Sequence, residues 1–370
     1  MENKILKQIL RTILAFFVLV CGISIGITYF PKEDKAVSVA EIGQKKNVEN
    51  VQATPREARI SLMQNADTQQ QIKERLGDCY IRISKHMTEI FPVQLTDCYQ
   101  KKQVILYVYN LPQQLFSSED LELVCAAEKS KWEKTLKKKF QVEYEKADAG
   151  RMQATITLQM DAIYGYYLYE DKEYIYIDCR PPAEVYDKII VLDAGHGGKD
   201  TGTYAYLGEW SEKDFNYDFV QRMEKNWDPE KGKLYLTRWT DDKVSLEDRV
   251  NFANELEADW FISIHCNSTD EAGGNGLEAL YKSNSYGEQS KRMAKLCLNQ
   301  LVNSTGFDNR GLLDGQEIYI IRKSNMPTVL LEMGFLTDKE DYSYLKEEQN
   351  REEMAQALCL AIEEGMESIE

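Results

Sequence analysis

KIIVLDAGHGGKDTG, Lys188–Gly202, is the stretch whose reading decides the fold. Its apolar run is too dense for a strand with one wet face, so it reads as a strand covered on both sides. The run ends in Gly195-His196-Gly197-Gly198. Glycines there permit a tight turn and close approach of the backbone to a bound group. His196 stands at the strand tip, where a side chain projects into a cleft. Downstream, strands and helices alternate. KLYLTRW, DWFISIH, EALY and TVLLEMG read as strands. EKDFNYDFVQRMEKN, SLEDRVNFANELEA, SYGEQSKRMAKLCLNQLVNS and QNREEMAQALCLAIEEGM read as amphipathic helices. That alternation predicts an α/β domain over residues 188–370, a mostly parallel twisted sheet with helices on both faces. Sites in such sheets form outside the carboxyl ends of the strands.

The chain has three histidines: His86, His196 and His265. Two of them follow apolar strands. A histidine that merely satisfies a core has no reason to favour strand tips twice, so the pair points to a metal. Catalytic zinc takes three nitrogen or carboxylate ligands and keeps one position open. Glu212, in the first turn of a helix that Ser211 caps, is a candidate third ligand. Glu209 competes with it, and Asp214 is a weaker choice. Glu332 closes the apolar strand TVLLE and suits a general acid/base beside an activated water. The alternative for Glu332 is a buried ion pair with Arg310 or Arg322.

Together DAGHGGKDTG, SEKDFN, SLEDRVNFANELEADWFISIHCNS, NRGL and MPTVLLEMGFLTD resemble the zinc-dependent N-acetylmuramoyl-L-alanine amidases of bacterial cell walls (amidase type 3), in order and spacing. The resemblance covers residues 188–370. It implies that His196, Glu212 and His265 hold Zn2+, and it selects Glu212 over Glu209. It implies that Glu332 is the catalytic glutamate and that the enzyme is a peptidoglycan hydrolase, an autolysin cutting between N-acetylmuramic acid and L-alanine. Two departures are Ala194, where the family often has proline, and Cys266, where it often has alanine. Neither removes a ligand. Cys266 alternates with His265 along a strand and is expected to face the core. Some division-associated members carry an inserted helix after the second histidine that blocks the site. The short Cys266–Asn275 segment leaves no room for one. Rival readings are a non-catalytic wall-binding or activator protein on the same fold, or another zinc amide hydrolase such as a peptidase or deacetylase.

The upstream half has a different character. Thr12–Phe30 is free of charge and follows Lys4, Lys7 and Arg11. Its length approaches that of a membrane-spanning helix with the N-terminus inside, so residues 1–30 are expected to anchor the chain with its catalytic part on the cell-wall side. A cleaved signal peptide is the alternative. Residues 31–75 read as a polar stalk with a helix from about Arg56 to Arg75. Residues 76–182 read as a small α+β domain that could receive an activator or targeting partner. It would comprise strands at Gln103–Asn110 and Ala154–Met160, a hairpin of Tyr164–Glu170 with Glu173–Cys179, and a helix over Ser117–Phe140. Its tyrosines are expected to fill the sheet, with glycan binding as the alternative. The eight cysteines include no C-x-x-C pair and read as buried small hydrophobes. A bridge among Cys79, Cys98, Cys125 and Cys179 is the alternative. A net charge of −16 gives no attraction to nucleic acid.

Overall fold

The computed structural model describes residues 58–59, 72, 74–77, 79–84, 93–111, 121–125, 140–146, 151–171, 173–208, 210–269 and 274–368. The expected anchor, Thr12–Phe30, and candidate ligand Glu209 lie outside them. Among the described residues, no helix is long and apolar enough to cross a membrane.

Among the described residues, the upstream unit has nine strands in two antiparallel sheets. In chain order these are β1 (Ala58–Arg59), β2 (Cys79–Ser84), β3 (Val93–Cys98), β4 (Gln103–Leu111), β5 (Leu121–Cys125), β6 (Phe140–Lys146), β7 (Met152–Gln159), β8 (Gly165–Glu170) and β9 (Tyr174–Arg180). One sheet runs β1-β3-β4-β7-β6 and the other β5-β2-β9-β8. Inward residues at every second position, such as Val104, Leu106 and Val108 on β4, Ile156 and Leu158 on β7, and Ile81 on β2, meet in one core. The expected hairpin β8–β9 forms, with Tyr166 opposite Cys179. Tyr166, Tyr169 and Tyr176 are buried, and the Tyr176 hydroxyl donates to Asp171 Oδ2 at 2.7 Å.

Two expectations need correction here. Leu121–Cys125, placed in a helix, forms strand β5 and pairs antiparallel with β2, Cys79 opposite Cys125. The helix-like charge pattern gives way because a neighbouring edge offers backbone partners, and tertiary pairing overrides local propensity. Ala58–Arg59, placed in a stalk helix, pairs with β3. Only Ile72, Glu74 and Arg75 of that expected helix are helical among its described residues. Cys98 and Cys179 are free thiols, as are Cys266, Cys297 and Cys359.

After α1 (Pro182–Val185), the downstream unit follows the alternating pattern. Its elements are β10 (Ile189–Ala194), α2 (Glu212–Asn226), β11 (Lys233–Leu236), α3 (Leu246–Glu255), β12 (Trp260–Asn267), β13 (Leu277–Tyr281), α4 (Gly287–Thr305), β14 (Asn309–Asp314), α5 (Tyr319–Lys323), β15 (Thr328–Phe335), α6 (Lys339–Lys346) and α7 (Glu348–Ser368). The sheet order is β11-β10-β12-β15-β13-β14. All neighbours run parallel except β13 against β15.

Successive residues of the central strands enter opposite cores. Ile190, Leu192, Ile262, Ile264 and Leu331 pack with Phe215 and Phe219 of α2, Met293 and Leu298 of α4, and Leu358 and Ile362 of α7. Ile189, Val191, Phe261 and Leu330 pack on the other face with Val250 and Ala253 of α3 and Ile320 of α5. That second core also receives Tyr99 and Ile163 from the upstream unit. The Tyr99 hydroxyl, buried there, accepts bonds from Leu236 N at 2.8 Å and Trp239 Nε1 at 2.9 Å. Gln100 Nε2 donates to Leu236 O at 2.6 Å, and Lys102 pairs with Glu255 at 2.7 Å. The upstream unit thus seats its Tyr99 turn at the end of edge strand β11.

Candidate active site

Parallel strands β10, β12 and β15 bring their carboxyl ends to one rim. The β10 end delivers His196 in a left-handed conformation, φ +60°. At the end of β12 stands His265, and α2 begins beside both with Glu212. Ser211 and Asp214 cap that helix reciprocally, so its first turn is fixed. The ligand atoms of His196, Glu212 and His265 all lie within 4.8 Å of one another. Glu212 Oε1 is 3.2 Å from His196 Nε2 and 2.9 Å from His265 Nδ1. Its other oxygen accepts from Thr203 N at 3.1 Å. On the far side of its ring, His196 Nδ1 is 2.9 Å from Asp200 Oδ1, the second hydrogen bond that orients a metal-binding imidazole.

The glycines around the cluster are steric requirements. A Cβ at Gly195 would sit 2.3 Å from the His265 ring. At Gly202, φ +61°, it would sit 2.4 Å from Glu212 Oε2 and 2.8 Å from His196 Cδ2.

Electrostatics tie the three side chains together. The hydrogen bond to Glu212 raises the His196 imidazole to about 9, burial opposing and Asp200 assisting. Burial disfavours the Glu212 carboxylate, but both imidazoles outweigh it and hold the group far below the usual carboxylate range. The same contacts that favour a proton on the His196 ring favour a divalent cation, which competes with it for the same atoms. Two histidines and one carboxylate, oriented and converging, fit catalytic zinc.

Glu332 joins from β15. Its Cα is in register with His265 on one side and Glu278 on the other. Burial raises its carboxyl to about 7, with Glu212 and Glu278 adding to the shift and the histidines opposing it. Its buried Oε2 atom has no hydrogen-bond partner. The arginines that could have neutralised it are engaged elsewhere. Arg310 Nε donates to Glu278 at 3.0 Å, and Arg322 donates to the carbonyls of Gln316 and Glu317. Cys266 is buried, pointing away from His265 into the core. Asp214 serves as the cap and lies outside the ligand cluster. No helix occupies the described residues between His265 and Leu277.

The residue model for N-acetylmuramoyl-L-alanine amidases matches residues 190–364. The uncharacterized protein YqiI of Bacillus subtilis is 35% identical over half of this chain and 88% of its own length. This chain belongs to the N-acetylmuramoyl-L-alanine amidase family. The N-acetylmuramoyl-L-alanine amidase LytC of B. subtilis is 34% identical over 47% of this chain, which spans 34% of LytC. The catalytic domain of CwlV, an amidase from Bacillus (Paenibacillus) polymyxa var. colistinus, aligns with a TM-score of 0.45 at 32% identity, covering 49% of this chain and 98% of that domain.

Beneath the site of this amidase lies a polar network that strand patterning did not reveal. Buried Asp193 accepts from Thr237 Oγ1 at 2.6 Å, from Ser263 Oγ at 2.7 Å and from Arg249. Arg249 also donates to Ala194 O at 2.7 Å and His196 O at 2.5 Å. Arg238 Nε donates to Ala194 O at 3.0 Å, and Asn216 Nδ2 donates to Gly195 O at 3.2 Å. These groups satisfy the carbonyls of the turn that carries His196. Arg249 and Asn216 sit in the sequence blocks that carry the family resemblance, but nothing in their local pattern marks them as buried.

Proposed function

We propose that residues 188–370 hydrolyse the amide between the lactyl group of N-acetylmuramic acid and L-alanine of the peptidoglycan stem peptide. His196, Glu212 and His265 would hold Zn2+, which supplies Lewis acidity toward a carbonyl oxygen and toward water. The observation that carries this reading is Glu332, which has a buried, partnerless carboxylate oxygen and whose Cα is in register with His265. A carboxyl raised to about 7 can take a proton from attacking water and return it to the leaving amine near neutral pH. Asp200 holds the His196 ring in orientation, and the Arg238–Arg249 network keeps the turn beneath it rigid. Solvent reaches the rings, with side-chain exposure of 26% for His196 and 19% for His265, which suits a polymeric substrate arriving from outside. The charge-free Thr12–Phe30 segment with its basic flank supports a membrane anchor that places this activity on the cell-wall side. The upstream unit would be the contact for a targeting partner.

Chromatography of digested peptidoglycan tests the reading. Release of stem peptides with N-terminal alanine, lost with a chelator and restored by zinc, is expected. Glu332→Gln should keep metal and fold but lose turnover by about 10²-fold or more. Free glucosamine amines would indicate a deacetylase, and no product a binding protein. Near wild-type turnover in the variant would remove Glu332 from its role.

A further inference from the structure

Between the turn of His196 and the helix of Glu212, residues 203–208 and 210–211 form the two arms of a small hairpin. Glu212 N donates to Thr203 O at 2.8 Å, Tyr204 bridges to Ser211, and Ala205 N donates to Trp210 O at 2.9 Å. Gly208, φ +68°, makes the bend. The root of the hairpin touches a candidate metal ligand, since Thr203 N donates to Glu212 Oε2. Its other side is pinned to the strand that carries Glu332: Tyr206 N donates to Leu336 O at 2.7 Å, just past β15. The hairpin therefore stands on the rim of the site and is fixed at both flanks.

Ala205 is buried, while Tyr204 is 60%, Tyr206 53% and Leu207, at the bend, 59% exposed. Trp210 braces the base, 4.8 Å from Phe215 and beneath the Arg351 guanidinium at 4.9 Å. Two large aromatic rings on the solvent side of a rigid support are not explained by packing. Among the other described tyrosines none is exposed, and Tyr99, Tyr166 and Tyr235 are buried.

We propose that Tyr204 and Tyr206 form an aromatic platform that binds the sugar rings of the glycan strand next to the scissile bond. This rests on the amidase reading above. A pyranose has an apolar C–H face and a hydroxyl rim, and a tyrosine offers a flat apolar ring with a polar tip. The sequence TYAYLGEWS has one acidic and no basic residue, so it supplies no cationic side chain for a stem-peptide carboxylate or an anionic lipid surface. Its position beside the ligands places a bound strand within reach of the cluster.

The test uses the full chain and peptide-free glycan strands of alternating N-acetylglucosamine and N-acetylmuramic acid, a ligand with no scissile bond. Binding by the wild-type protein is expected. Tyr204→Ala and Tyr206→Ala should each weaken it about three- to tenfold, and the double variant should weaken it further. Tyr204→Phe and Tyr206→Phe, which keep the ring, should retain most of the affinity at an unchanged melting temperature. On intact peptidoglycan the alanine variants should raise KM more than they lower kcat. Their loss should exceed the loss on a single-sugar muramyl peptide by about tenfold. Equal binding of peptide-free glycan by the wild-type protein and the double variant, or no binding by either, overturns the platform. Absence of muramyl-alanine cleavage by the wild-type protein would overturn the amidase reading instead, and the binding measurement would still decide the platform.

Discussion

Replacing Tyr99 by Phe removes one oxygen atom and tests how the two units are held together. The hydroxyl is the acceptor for the Leu236 amide at 2.8 Å and the Trp239 indole at 2.9 Å. The ring contacts remain, at 4.7 Å to Tyr235, 4.5 Å to Trp239 and 5.8 Å to Phe252 between centroids. Both donors lose their partner, and the Leu236 amide is walled off from water. A buried donor left unsatisfied costs about 1–3 kcal/mol. Trp239 is only partly buried and recovers some hydration, so the pair amounts to about 2–4 kcal/mol. Tyr99→Ala adds the loss of an aromatic side chain from a packed core, about a further 3 kcal/mol. Urea unfolding followed by tryptophan fluorescence reads both changes, since Trp239 reports on the contact itself. A loss below about 0.5 kcal/mol for Tyr99→Phe would mean that the Tyr99 turn is not seated on β11 in solution.

Gly202→Ala should weaken divalent-metal binding at least about tenfold in a chelator competition, because its Cβ meets Glu212 Oε2 and the left-handed backbone adds about 1–2 kcal/mol of strain. Unchanged affinity would contradict the packing of that glycine against the ligands. Asp193→Asn should destabilise the protein by about 3 kcal/mol at neutral pH by leaving Arg249 buried and unpaired. Burial opposes the Asp193 carboxylate, but Arg249, Thr237 and Ser263 hold it below 3.8. Its stabilisation is therefore present above about pH 4 and is lost as pH falls through the folded value, so the gap between wild type and variant should narrow on acidification. A gap that widens toward low pH would reverse that sign. Burial first, and then the charge of Glu212, pushes the Cys266 thiol well above its ordinary value. Mass spectrometry should find Cys266 unalkylated in the folded protein at pH 8, and labelling before unfolding would show it to be accessible.

Much of the downstream unit was legible along the chain because its strands are buried on both faces. KIIVLDA, DWFISIH and TVLLEMG read as apolar runs, and the helix over Glu212–Asn226 carried its own cap. A residue at the end of such a run has one place to go, so His196, His265 and Glu332 could be assigned to one rim. Glu212 could not be separated from Glu209 by spacing and needed the family pattern. In the upstream unit β4, β7 and the β8–β9 hairpin carried alternation, whereas the helix expected over Ser117–Phe140 did not anticipate β5. An edge strand depends on what it pairs with, and that partner, β2, lies about forty residues earlier in the chain. Edge strand β14 was missed for the same reason, its residues being mostly exposed.

Local sequence thus determined which residues could do chemistry: a strand that must be buried leaves a predictable end, and glycines mark where backbone and ligand crowd together. Tertiary structure alone decided what those residues experience. Arg310 is drawn to Glu278 by a strand pairing that no local pattern reveals, and so Glu332 is left with an unpaired oxygen. Arg238 and Arg249 turn inward because the His196 turn presents bare carbonyls to them. Charge pairing and burial are properties of distance in space, whereas sequence supplies only distance along the chain.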